Sequence, residues 1–254
     1  MSRPIAAVED GDQRADFVLS WQFFVGVLCL TAGLLELHEQ AHIWSGYIAC
    51  GAFGDRLLNT WTLADGCTAI WPVFAGPAFT LSAAGAGLLL MAFGSARLKA
   101  LGIALFWAAG PASRAYGVIV FGGGDEVVGT IKLLDLSGVD AWARARIISG
   151  SALAIIGFVF LTAYAALTSR RPIWAWTLVS AVFNIAALTA LIVLVISPLE
   201  QLMPGPGFGP FGSHWVALAW PLTAIALSVV ALPLLLRAPA RENSRKDEAH
   251  TRAS

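Results

Sequence analysis

The sequence predicts an all-α polytopic membrane protein with about six transmembrane helices, and three observations carry that expectation. Of 254 residues, 57% are apolar and only 13% are charged, about half the charged share of an average soluble domain. Mean hydropathy is +0.73, more apolar surface than a water-soluble core could hide. The apolar residues fall into six runs of roughly 20, the length that crosses a bilayer as a helix. The alternating pattern of a β-barrel is missing. Net charge is +0 with no basic domain, which excludes nucleic acid as a partner and leaves the lipid bilayer as the expected surroundings. Three cysteines are too few for a disulfide-dense secreted scaffold.

In order, spans are expected at about Phe17–Trp44, Cys67–Phe93, Leu98–Phe121, Ile147–Leu167, Ile173–Ile196 and Trp215–Leu236. They form a single transmembrane domain over residues 17–236, its functional core at about 17–130. A polar segment, 1–16, precedes it, and a polar tail, 237–254, reads as disordered. The start carries Glu9, Asp10, Asp12 and Asp16 rather than the basic start of a signal peptide, so the first span is expected to be retained. Lys and Arg gather on the N-terminal side of the spans, at Arg97, Lys99, Arg170, Arg171 and from Arg237 onward. By the positive-inside rule both termini are expected to be cytoplasmic in a cell membrane, plasma or inner.

The first span holds residues that do not belong in lipid: Glu36, His38, Glu39 and His42. Ionisable groups inside a span are costly and mark function by default. His38-Glu39-Gln40-Ala41-His42 is an HExxH pattern. Positions four apart lie on one helix face, so His38 and His42 can share one metal ion, with Zn²⁺ the expected cofactor. Glu39 sits about 100° round the helix, where a carboxylate can take a proton from a metal-activated water.

A catalytic zinc usually has three protein ligands. Asp125, in Phe121-Gly-Gly-Gly-Asp-Glu-Val-Val-Gly129, is the leading candidate for the third. The first and third spans run in the same direction, and counting residues places Asp125 near the depth of His38. The three glycines allow the backbone to leave helical geometry and approach a ligand. Glu126, Asp65 and His214 are alternatives.

With these residues in view, the sequence resembles the site-2 protease family of intramembrane zinc metalloproteases over roughly residues 30–130. The resemblance rests on His38-Glu39-Gln40-Ala41-His42 followed by Ser45-Gly46, on Ala75-Gly76-Pro77 in the next span, and on Asp125 two spans after the HExxH helix. It implies a three-helix core, zinc on His38, His42 and Asp125, and Glu39 as base and acid in peptide hydrolysis. The implied substrate is a membrane-embedded or juxtamembrane segment of another protein. Where the family shows Leu-Asp-Gly, this chain has Gly-Gly-Asp-Glu. Its charge pattern also places the site toward the outer face rather than the cytosol. Two other readings stand beside it: a non-catalytic metal-binding or transport protein, and a membrane zinc hydrolase acting on a lipid amide.

Other features carry further expectations. Cys50 and Cys67 flank the loop after the first span and can bridge it if that side is oxidising. The loop is either a lid or a plain interfacial connection. Arg114, about three turns before Asp125, can pair with Glu36 or face a substrate carbonyl. Gly110-Pro111 should kink the third span. Gly85 and Gly87 suit close helix packing. The segment 198–213, rich in Pro and Gly, is expected to be non-helical and to lie over the site on the same side.

Overall fold

The structure, a computed structural model, describes residues 20–168, 173–203, 207–208 and 215–236. Six of its helical segments are long and apolar enough to cross a membrane, so the chain is an all-α polytopic membrane protein. The segments 1–16 and 237–254 and the candidate ligand His214 lie outside the described residues.

Helix α1 spans Trp21–Cys50, longer than the expected first span. Ser20 caps it, accepting from the Phe23 amide, and Gly51 ends it in the left-handed region at φ 73°. Glu36, His38, Glu39 and His42 all face inward, which is why polar residues do not shorten the helix. Helix α2 (Pro72–Phe93) carries Pro77 within it. It crosses α3 (Ala96–Ala109) through two glycines, Gly87 and Gly102. A Cβ on Gly87 would lie 2.8 Å from the Gly102 carbonyl oxygen. Gly85, in contrast, faces open space and plays no part in this packing.

The expected kink is present. Gly110 takes φ 48°, and Pro111 starts the short helix α4 (Pro111–Tyr116). Proline has no N–H, so the Trp107 carbonyl loses its helical partner. Asn184, from helix α7 (Ile173–Leu191), supplies one: its Nδ2 donates to the carbonyls of Trp107 at 2.7 Å and Ala108 at 3.0 Å. The span finishes as a π-helical turn, Gly117–Phe121. Around this crossing sits the main core, built on Phe23, Phe106, Trp107 and Tyr164. The Trp107 indole N–H donates to the Tyr164 hydroxyl at 2.9 Å.

Three departures from the sequence expectation have local causes. Residues Asp125–Leu133 form a helix, α5, where a loop was expected; acidic residues at its start and Lys132 at its end suit the helix dipole. Helix α6 (Ala141–Leu167) begins at Ala141 rather than about Ile147. Its first turns carry Arg144, which pairs with Asp140 at 3.2 Å, and Arg146, which donates to the Ile119 carbonyl. Of the segment 198–213, expected to be non-helical, residues up to Gln201 are helical: α8 (Ser197–Gln201) continues α7 through a π-helical turn, Ile192–Ile196, with Pro198 just after that turn. Helix α9 (Trp215–Leu236) packs along α1.

A candidate metal centre

The side chains of His38, His42 and Asp125 converge. His38 Nε2 and His42 Nε2 are 3.2 Å apart. The Asp125 Oδ2 oxygen lies 3.4 Å from the first and 3.1 Å from the second. These three edges form a nearly equilateral triangle. A tetrahedral ion with bonds of about 2.0–2.1 Å spaces its ligands about 3.3–3.4 Å apart, so the triangle has the size of one face of such a tetrahedron. The group could hold a metal ion.

Hydrogen bonds behind the imidazoles decide which nitrogens face the centre. The Thr80 hydroxyl donates to the Gly76 carbonyl at 3.2 Å, so its oxygen is left to accept from His38 Nδ1–H at 2.9 Å. His42 Nδ1–H donates to the Pro72 carbonyl at 2.7 Å. Each ring therefore carries its proton on Nδ1 and turns a bare Nε2 lone pair inward, the arrangement that orients metal-binding histidines. Two nitrogen lone pairs and a carboxylate oxygen then meet with no proton between them. They repel unless a cation sits there. Burial works against charge on Asp125; only when the ring nitrogens facing it carry protons do hydrogen bonds from His38 and His42 outweigh that burial and hold its carboxyl well below the usual carboxylate range.

Two elements deliver the candidate ligands and a third walls them in. Helix α1 supplies both histidines from one face. Asp125 opens α5, directly after Gly124 at φ 115°; Gly122, at φ 71°, also takes a conformation open mainly to glycine. Helix α2 supplies the wall. A Cβ at Gly76 would stand 2.2 Å from His42 Nε2 and 2.7 Å from His38 Cε1, so the space beside the triangle exists because residue 76 has no side chain. Glu39 is buried at 6% exposure, and among the described residues no hydrogen bond or ion pair engages its carboxylate.

The loop between α1 and α2 closes over this centre. Trp61 stacks on the His42 ring, centroids 4.6 Å apart and planes 17° apart. A disulfide joins Cys50 to Cys67 across the loop. Arg56, buried, reaches down to Glu36 with both carboxylate oxygens at 2.8 Å. The Asn59 amide donates to Glu200 at 2.8 Å. Asp55–Arg56 also pairs antiparallel with Gly207–Phe208. A cleft of about 510 Å³, lined by Trp61, Asp65, Val73, Asp125, Val128 and Lys132 among others, leads to the carboxylate ligand. Behind His38 lies a second cavity of about 30 Å³, bounded by Thr80, Ser113, Arg114 and Asn184, room for about two waters.

The alternatives for third ligand fall elsewhere. Asp65 lines the cleft without joining the triangle. Glu126 accepts from Arg114 Nε at 2.8 Å. That pair also corrects the proposed match of Arg114 with Glu36, whose partner is Arg56. Arg56 and Trp61 belong to the loop that the sequence left open as a lid or an interfacial connection; their partners, Glu36 and His42, were not foreseen. Neither has a local signal, because loop residues find their partners through the fold. Comparison with protein-family models, curated proteins and solved structures finds no match for the chain.

Proposed function

We propose that the protein is a zinc-dependent intramembrane peptidase that hydrolyses membrane-embedded or juxtamembrane peptide bonds. The observation that carries this reading is the His38–His42–Asp125 triangle, with edges of 3.1–3.4 Å, beside the buried carboxylate of Glu39 on α1, which has no partner among the described residues. Two imidazoles and one carboxylate at tetrahedral spacing match the donor set of catalytic zinc in peptidases. The resemblance to site-2 proteases points the same way.

Bound there, zinc would supply Lewis acidity and an acidified water. The protein's residues do the rest. His38, His42 and Asp125 fix the ion, while Thr80 and Pro72 fix the rings. Glu39 takes a proton from the water as its oxygen bonds to the acyl carbon. When the C–N bond breaks, Glu39 returns that proton to the amine nitrogen, leaving a carboxylic acid and an amine. Burial of Glu39, at 6% exposure, keeps bulk water from competing for the proton. Trp61 and the bridged loop narrow the approach, so a substrate would enter as an extended segment through the cleft beside Asp125. An unwound substrate exposes a peptide bond that a helix would shield.

The disulfide between Cys50 and Cys67 supports an oxidising compartment on the side of the site. This agrees with the orientation expected from the charge distribution, with both termini cytoplasmic and the site toward the outer face. The test is proteolysis in detergent micelles or liposomes by the zinc-loaded protein, using a library of single-span substrates. Cleavage by the wild type, with loss of about 10²-fold or more in Glu39→Gln at unchanged metal content, is expected. Equal cleavage by Glu39→Gln contradicts the mechanism.

A further inference from the structure

Among the described residues, Arg114 is the cation within ion-pair range of the triangle. Its Nη2 lies 3.4 Å from His38 Nε2 and 3.9 Å from Asp125 Oδ2. Its Nε donates to Glu126 at 2.8 Å. Glu126 is buried, and the Arg114 side chain is only 16% exposed. Glu126 is the second residue of α5, next to the ligand Asp125, so the element that brings the third ligand also aims the guanidinium. A cation this close to a metal position is electrostatically unfavourable by itself. It becomes favourable when a negatively charged oxygen lies between the two.

The hydrogen-bond inventory points to the same place. With a metal ion on the His38 Nε2 lone pair, Arg114 Nη2–H loses that acceptor. The carboxylate of Glu126 is already engaged by Nε, and Asp125 is 3.9 Å off, beyond hydrogen-bond range. The donor is then left facing whatever occupies the open side of the triangle. The planar fork of arginine suits this division, with one N–H held by the protein and another offered to an oxygen anion.

Building on the peptidase reading, we propose that Arg114 is a second electrophile of the site, binding the acyl oxygen of the substrate, with Glu126 as the positioning residue that aims it. As the water oxygen bonds to the acyl carbon, the C=O π pair moves onto that oxygen, which takes negative charge. Arg114 stabilises it there. The pair returns to reform C=O when the C–N bond breaks, while Glu39 carries the proton. The same arrangement binds the product carboxylate.

The test uses full-length protein in detergent with Co²⁺ in place of zinc, and acetate as a carboxylate probe followed through the cobalt visible absorption. Wild type is expected to bind acetate. Arg114→Gln is expected to hold the same amount of cobalt and bind acetate about 10–100-fold more weakly, the worth of one charge-assisted hydrogen bond. Glu126→Gln, which keeps the cation but loosens its aim, should fall between them. Unchanged acetate affinity in both variants at full cobalt content overturns the role of Arg114 and leaves the metal centre standing. Failure of the wild type to bind cobalt at all overturns the metal centre, and this inference with it.

Discussion

Gly76 faces His42 so closely that a methyl group on residue 76 would stand 2.2 Å from the imidazole Nε2. The glycine is therefore part of the candidate metal position, although it offers no ligand atom. Gly76→Ala is expected to abolish metal binding, because the methyl occupies the space beside both histidines. Gly85→Ala, about two and a half turns further along the same helix and in open space, is the control. It should keep the metal and gain about 0.5–1 kcal/mol, the usual advantage of Ala over Gly inside a helix. Metal analysis and thermal unfolding of the two variants decide the matter.

The pair Glu36–Arg56 ties the loop to α1 with both residues nearly fully buried, at 2% and 1% exposure. Removing one partner of a buried ion pair strands the other charge, at a cost of about 3–5 kcal/mol. Glu36→Leu and Arg56→Leu are each expected to destabilise by that amount. The double variant should recover a large part of the loss, since no charge is then left alone. Denaturant unfolding of the three proteins gives the coupling directly.

Metal affinity should fall in acid because protons compete for the imidazole nitrogens. Asp125 behaves differently. Its carboxyl is held well below the usual range, so its charge contributes stability above the ordinary carboxylate pKa, near about 3.9, and that contribution is lost as pH falls through the lower folded value. At pH 5–7 Asp125 is already ionised and releases no proton to the metal. Asp125→Asn is expected to weaken binding without changing the number of protons released per metal. Calorimetry in buffers of different ionisation enthalpy measures that number.

The bridge between Cys50 and Cys67 closes a loop with a sequence separation of 17, worth about 3 kcal/mol by loop-closure entropy. Reduction should lower the unfolding temperature and expose residues 51–66 to proteolysis. The variant Cys50→Ser/Cys67→Ser should show the same lower temperature with or without reductant.

Much of the site was legible in the sequence because it depends on short-range helix geometry. His38 and His42 are four apart on one turn-stacked face, and that spacing alone puts both rings on one point. Asp125 was legible by counting span lengths and by the glycines before it. The helix that Asp125 begins was not foreseen, though its signal was there: Asp-Glu at the start, Lys132 at the end and an apolar stripe between them. Glu36 was matched to the wrong arginine because ion pairs across a loop are set by tertiary packing. Trp61 over His42 follows from the disulfide and the β-bridge between Arg56 and Trp61, neither of which has a periodic sequence pattern.

The most direct test is the metal content of the purified, detergent-solubilised protein, measured in wild type, His38→Ala, His42→Ala, Asp125→Ala and Glu39→Gln. The expected result is about one zinc per chain in wild type and in Glu39→Gln, with loss in each of the three ligand variants. No metal in any form after zinc is supplied, or full metal in all three ligand variants, would contradict the account.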